Sequence, residues 1–282
     1  SAIPAASIAA FAAAGSTTFQ VTFNPSATGT RFATVSFSNN DADENPFNFA
    51  IQGTGTAPNL TIGDVSLDEG NAGNTNFTFT VSLDAPAGLG GVSFDIATAN
   101  NTATTADSDY AGNSLTGQTI AEGSQTRTFT VAVNGDLRNE ANETFFVNVT
   151  NVVNSVVIDG QGVGTIVNDD PLPSLSIDDV SIAEGNGGST NAVFTVTLSA
   201  ASGQSIFVNY ATADATATQP SDYSSTSDVL LFTPGQISGT ITVQVNGDTT
   251  TENDENFFVN LSGAVNATIS DNQGLGTITN DD

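Results

Sequence analysis

The stretch NGDLRNEANETFFVNV (residues 134–149) returns later in the chain as NGDTTTENDENFFVNL (residues 246–261). Both copies open with an aspartate, Asp136 or Asp248. A glutamate follows at Glu140 or Glu252, and a second at Glu143 or Glu255. The chain then turns apolar, through Phe145-Phe146-Val147 in one copy and Phe257-Phe258-Val259 in the other. Three carboxylates thus sit on a loop that enters a buried strand. Carboxylates crowded in this way repel unless a positive charge cancels theirs. Hard cations that take oxygen ligands, calcium above all, do so.

The duplication extends outward from this stretch. Pro58-Asn59-Leu60-Thr61-Ile62 is answered by Pro173-Ser174-Leu175-Ser176-Ile177, and Gly162 to Asp170 by Gly274 to Asp282. The repeat is one domain long, well above solenoid periods. Within a copy the pattern has period two. Phe77, Phe79, Val81 and Leu83 alternate with Thr78, Thr80 and Ser82; Val92, Phe94 and Ile96 alternate with Ser93 and Asp95; Phe129, Val131 and Val133 alternate with Thr128, Thr130 and Ala132. Such alternation of β-branched and aromatic residues predicts half-buried strands. Gly- and Asn-rich breaks, as at residues 71–75 and 85–91, separate them. Several short strands at this spacing predict two-sheet sandwiches, with the phenylalanines as core.

Composition narrows the chemistry. Three arginines, Arg31, Arg127 and Arg138, stand against 30 acids, a net charge of −27. From Pro171 to Asp282 there are thirteen acids and no cation. Nucleic acid is excluded as a partner, because phosphate binding needs basic patches. An anionic membrane surface is disfavoured. No apolar run is long enough to insert into a bilayer. The chain has no Cys, His, Met, Trp or Lys. Disulfides, thiolate metal sites and zinc's preferred ligands are therefore missing. So are the residues of nucleophilic triads and Schiff-base chemistry. A carboxylate pair such as Glu140 with Asp136 is the remaining catalytic option, without the aromatic platforms that sugar hydrolysis usually adds. The expectation is a protein that is not an enzyme. A Thr-, Asn-, Ser-, Ala- and Gly-rich acidic chain without Cys suits an extracellular or cell-surface bacterial protein. With no Met at position 1, the chain reads as a piece of something longer.

Four motifs recur in order in both copies. They are Asp68-Glu69-Gly70 (Ala183-Glu184-Gly185), Ser108-Asp109-Tyr110 (Ser221-Asp222-Tyr223), the Gly-Asp…Glu…Glu-x-Phe stretch, and a closing Gly-x-Gly-Thr-Ile…Asn-Asp-Asp. In this combination residues 58–282 resemble tandem Calx-β domains, repeat 1 at 58–170 and repeat 2 at 171–282. The resemblance implies an immunoglobulin-like sandwich binding Ca2+ at one end. The ligands it implies in repeat 1 are Glu69, Asp109, Asp136, Glu140, Glu143, Asp169 and Asp170. In repeat 2 they are Glu184, Asp222, Asp248, Glu252, Glu255, Asp281 and Asp282. The backbone carbonyl of Arg138 or Thr250 is a further expected ligand. This sequence departs from the strong calcium-sensing members at Gly135 and Gly247, and at Asn168 and Asn280, where those carry Asp. Fewer carboxylates imply fewer or weaker sites, near the roughly 10⁻⁴–10⁻³ M of extracellular modules.

Residues 1–57 differ. Ala5 to Ala14 favours a short helix on propensity. Thr18–Phe23, Phe32–Phe37 and Phe47–Ile51 read as strands, and residues 53–58 as a flexible linker. Phe19 to Pro25, Asn40-Asp41 through Phe47, and Ile51 to Gly55 resemble the latter half of immunoglobulin-like repeats of the choice-of-anchor D or ASPM/SPD-2/hydin type. The fold expected is all-β: two complete immunoglobulin-like sandwiches preceded by a partial one. The function expected is a calcium-stiffened structural module of an extracellular surface protein or filament, with copies of itself joined head-to-tail through residues 1–57. The alternative is an accessory or adhesive module of a larger secreted enzyme or adhesin, meeting other cell-surface proteins or glycans.

Overall fold

The computed structural model describes Val21, residues 29–38, Asp43 and residues 45–282. The predicted strand Thr18–Phe23, apart from Val21, and the predicted Ala5–Ala14 helix lie outside the described residues. The described residues form strands and turns, and no helix among them is long and apolar enough to cross a membrane.

Strands β1 (Gly29–Phe37) and β2 (Phe47–Gly55) form a two-stranded antiparallel sheet. Here the linker expectation is corrected. Gly53, Thr54 and Gly55 continue β2, paired with Arg31, Thr30 and Gly29, because the ladder holds a glycine-rich segment extended.

Repeat 1 comprises β3 (Asn59–Ile62), β4 (Val65–Asp68), β5 (Gly73–Leu83), β6 (Val92–Asn100), β7 (Ser114–Ile120), β8 (Thr126–Gly135), β9 (Glu143–Val153), β10 (Val156–Val157) and β11 (Gln161–Val167). They make a four-stranded sheet, β10-β3-β5-β8, and a five-stranded one, β4-β11-β9-β6-β7. Repeat 2 has the same plan. Its strands are β12 (Ser174–Ile177), β13 (Val180–Ala183), β14 (Gly188–Leu198), β15 (Ile206–Asp214), β16 (Ser227–Phe232), β17 (Ser238–Gly247), β18 (Glu255–Val265), β19 (Thr268–Ile269) and β20 (Gln273–Thr279). Their sheets run β17-β14-β12-β19 and β13-β20-β18-β15-β16. Gly73 to Thr75 belong to β5, so the break expected at 71–75 is shorter than its composition suggests.

The alternating residues bury as predicted. Phe77, Phe79, Val81, Val131, Val133, Phe145 and Val147 are fully buried between the sheets of repeat 1. Phe194, Val196, Val243, Val245, Phe257 and Val259 are fully buried in repeat 2. Phe145 and Phe257 are the central knobs. Phe145 lies 5.9 Å from Phe77 and 5.8 Å from Phe79, and Tyr110 stacks on it at 4.5 Å. Phe257 repeats this with Phe194 at 5.9 Å and Tyr223 at 4.7 Å. A Cβ on Gly164 or Gly276 would overlap these rings, which is why the closing motif needs glycine there. Truncating either knob to alanine costs about 3–5 kcal/mol.

This core fixes the acidic loops. Tyr110 is anchored by its ring and by its hydroxyl, which donates to Asn100 Oδ1 at 2.6 Å, so Asp109 is held at the sandwich end. Tyr223 donates likewise to Asp214 Oδ1 at 2.6 Å and holds Asp222. Phe145 and Phe257 anchor the strands whose first residues are Glu143 and Glu255.

Candidate metal centres

In repeat 1, carboxylate oxygens of Asp109, Glu140 and Glu143 lie within 4.8 Å of one another. In repeat 2, those of Asp222, Glu252 and Glu255 do the same. Each triplet joins the loop after the sixth or fifteenth strand to the loop opening the ninth or eighteenth. The sequence separates them widely, and the sandwich gathers them at one end.

The other predicted residues border the triplet. Glu69 is buried, and among its charged neighbours Asp136 and Asp170 act most strongly, followed by Glu140 and Asp169. Asp136 Oδ1 accepts from Arg138 N at 2.7 Å, turning the loop back on itself. Asp169 Oδ1 accepts from Gly70 N at 3.1 Å and Asp170 Oδ1 from Asn71 Nδ2 at 2.7 Å. Repeat 2 copies this pattern. Asp248 Oδ1 accepts from Thr250 N at 2.6 Å and Asp281 Oδ1 from Gly185 N at 2.9 Å; Asn186 donates to Asp282. Glu184 is buried, with Asp248 and Glu252 its strongest charged neighbours.

Nothing positive offsets most of this charge, and the acid-base balance of the carboxyls records it. Burial, reinforced by Asp136 and Asp170, pushes Glu69 up to about 7. Burial, reinforced by Asp109, pushes Glu143 up to about 7 as well. Burial raises Glu140, with Arg138 opposing; the two form an ion pair at 3.2 Å. Burial also raises Asp170, Glu184 and Glu255. Asp170 is only 5% exposed, and its Oδ2 is buried without a hydrogen-bond partner. A buried carboxylate oxygen left unpaired is costly, and a cation removes that cost. Glu69, Asp107, Asp109, Asp136, Glu140 and Glu143 line a cleft of about 520 Å³. Its donors are all oxygen, the set that calcium and magnesium take and zinc does not favour.

The geometry also explains the two glycines where an aspartate was the alternative. A Cβ on Gly135 would fall inside the Gly70 carbonyl and 2.8 Å from Glu69 O. One on Gly247 would meet Glu184 O at 2.6 Å and overlap Gly185 O. The β8 and β17 ends press against the Glu-Gly turn, so no side chain fits there. Asn168 and Asn280 have a structural job: their Oδ1 atoms accept from Glu140 N at 2.9 Å and Glu252 N at 3.1 Å, aiming the loop.

The Calx-beta domain family matches residues 65–170 and again residues 168–280. The chain belongs to the Calx-beta domain family. Three solved structures are similar to it. One is CBD12 from CALX1.2, at 19% identity over 73% of this chain and 81% of that one, TM-score 0.35. Another is the calcium binding domain CBD12 of CALX1.1, at 18% over 73% and 80%, TM-score 0.34. The third is the apo-form Calx CBD1 domain, at 20% over 40% and 100%, TM-score 0.35. No curated protein matches the chain.

Two residues of the first Calx-beta end escaped the reading of the repeat. Asp107 lines the cleft, accepts from Thr104 Oγ1 at 2.9 Å, and acts on both Glu140 and Glu143. Pro220 occupies its place in repeat 2, so comparing the copies does not reveal it. Asn139, only 7% exposed, donates from Nδ2 to Asp170 O at 2.8 Å; its counterpart in repeat 2 is Thr251. An unmatched asparagine in a loop gives no signal in sequence.

Proposed function

We propose that this chain is a calcium-binding structural module, each Calx-beta repeat holding calcium at its acidic end and the first site stiffening the junction between the repeats. One observation carries the reading: three carboxylates converge within 4.8 Å in each repeat. In the first, a buried carboxylate oxygen beside them has no partner. Asp109, Glu140 and Glu143, with Glu69, Asp136, Asp169 and Asp170, would hold the ion in repeat 1. Asp222, Glu252 and Glu255, with Glu184, Asp248, Asp281 and Asp282, would hold it in repeat 2. Calcium supplies the positive charge these residues lack; the chain supplies oxygens already oriented by Tyr110, Tyr223 and the two asparagines. The chain is not catalytic on this reading, because Glu140 shares its space with Asp109 and Glu143 in a metal-like cluster and the sequence has no other nucleophile-activating groups.

The site of action we propose is extracellular, at the cell surface or in a filament, where calcium is abundant enough for weak sites. Like units join head-to-tail through residues 1–57. The exposed rings of Phe32 and Phe47 on the β1–β2 sheet support that contact, since apolar sheet faces favour association. Other cell-surface proteins or glycans are the partners of the accessory-module alternative.

The test of the metal reading is thermal melting of the full chain in calcium, magnesium or chelator. Calcium raises Tm well above the chelated value and magnesium does so much less, because magnesium demands tight octahedral geometry. Equal melts in all three would remove the reading. For assembly, deleting residues 1–57 abolishes particles larger than one chain; a full chain that stays monomeric at high concentration contradicts the contact.

A further inference from the structure

The junction between the repeats is made by one backbone bridge. Asn139, in the first acidic loop, pairs in parallel with Ser202 of the loop joining β14 to β15. Its carbonyl accepts from Ser202 Oγ at 3.0 Å and from Gly203 N at 3.0 Å. Its side-chain Oδ1 accepts from Gln204 Nε2 at 3.3 Å, while its Nδ2 donates to Asp170 O. Ser202 is 2% exposed, so this contact is dry. Beside it, Gly203 lies directly on the Glu140 carboxylate. A Cβ there would come within 2.8 Å of Glu140 Cγ and closer still to Oε1.

The duplicated fold supplies an internal control. Ala87 takes the place of Ser202 in repeat 1: Gly123 N donates to its carbonyl at 2.9 Å, as Gly235 N does to Ser202 O at 2.9 Å. Ala87 has no hydroxyl to offer, and a Cβ on the following Gly88 would meet open space. The hydroxyl and the tightly seated glycine therefore occur in the copy of this loop that rests on an acidic end. A fold requirement would have placed them in both.

We infer that repeat 2 completes the first cation site: Ser202 and Gly203 grip Asn139 and wall in Glu140, so that cation binding at Asp109, Glu140 and Glu143 and seating of repeat 2 are one coupled event. This rests on the calcium reading above. Asn139, Ser202 and Gly203 are positioning residues. They touch the loop that bears the ligand and fix where its carboxylate points. Gly203 blocks one side of Glu140, leaving its carboxylate to face Asp109 and Glu143. Asn139 ties that same turn to Asp170, whose buried oxygen is unpartnered. Coupling between sites is reciprocal, so whatever unseats repeat 2 must weaken the cation, and the cation must tighten the seat.

The experiment uses the full chain carrying Glu252→Gln and Glu255→Gln, which leaves the first site for calcium. Calcium affinity is measured by titration calorimetry, and exchange of the Gly203 amide by hydrogen–deuterium exchange. Adding Gly203→Val or Asn139→Thr weakens calcium by about tenfold, within the usual range of coupling energies. Gly88→Val, at the corresponding loop of repeat 1, leaves affinity unchanged. In the opposite background, Glu140→Gln with Glu143→Gln, Gly203→Val leaves the remaining site unchanged, which separates coupling from general loss of structure. Calcium slows exchange at Gly203 in the parent. Parent affinity in both junction variants, or exchange at Gly203 that ignores calcium, overturns the inference while leaving the calcium reading intact. A background chain that takes up no calcium overturns both.

Discussion

The two acidic ends are built from the same motif, yet the first is wrapped and the second is open. Asp170 is buried where Asp282 is exposed, Glu140 is half-buried where Glu252 is exposed, and Asn139 is buried where Thr251 is exposed. Glu69 and Glu143 are pushed up to about 7. Their counterparts Glu184 and Glu255 are raised for the same reason, burial. Arg138 is the cation near the first cluster, and Thr250 replaces it in the second. The same carboxylates in a drier setting repel more strongly, because a lower local dielectric strengthens every charge interaction. The first end therefore has more to gain from a cation.

The largest predicted effect should be the same in both ends, and so tests what they share. Gly135→Asp and Gly247→Asp add the carboxylate of stronger calcium sensors but drive it into the Glu-Gly turn. Each should destabilise its repeat by about 3 kcal/mol or more through overpacking, read as a lower Tm with and without calcium. A variant that keeps the parent Tm and binds calcium more tightly would show that the turn yields.

Acidity should separate the ends in the metal-free protein. Glu69 and Glu143 have folded values near 7, above the roughly 4.3 of an unfolded glutamate. Folding then takes up protons between those values. The stability these two groups contribute is full below about 4.3 and is lost as pH rises through about 7. Chelated protein should thus gain stability as pH falls from 8 toward 5, mostly in repeat 1, followed by urea unfolding with residue-resolved NMR. With calcium bound the carboxylates stay ionised and the trend reverses. A chelated protein that weakens steadily over that range would contradict the crowding.

Asp169→Asn with Asp170→Asn should loosen the angle between the repeats in calcium while both sandwiches stay folded. Asp170 is buried, but at the sandwich end and outside the hydrophobic core. Small-angle scattering reads the angle; superimposable profiles would show that the metal does not set it. The smallest effect belongs to Arg138→Thr, which makes the first loop resemble the second. Its partly exposed pair with Glu140 is worth about 0.2–1 kcal/mol. The chelated protein should lose about that much, and calcium, no longer competing with the guanidinium, should bind slightly more tightly.

Much of this was legible in the sequence because it is written twice. Period-two alternation around Phe77, Phe79 and Phe145 predicted the buried faces, and the four duplicated motifs located the residues that converge at each end. The features that break the duplication stayed hidden. Asp107 faces Pro220 in the comparison, and Asn139 faces Thr251, so neither reads as a site residue. The seating of Ser202 and Gly203 on the acidic loop depends on how one repeat meets the next, which periodicity does not encode. Gly53 to Gly55 were read as linker because composition reports flexibility, whereas the ladder with β1 decides their conformation. Gly135 and Gly247 read as missing ligands, and only the close backbone behind them explains why glycine is required.

The most direct test of the two-site account is calcium titration calorimetry on the full chain, on the Glu140→Gln/Glu143→Gln variant, and on the Glu252→Gln/Glu255→Gln variant. The account predicts saturable calcium uptake by the parent, with loss of the tighter class in the first variant and of the weaker class in the second. A parent that takes up no calcium, or two variants that both keep the parent isotherm, would contradict it.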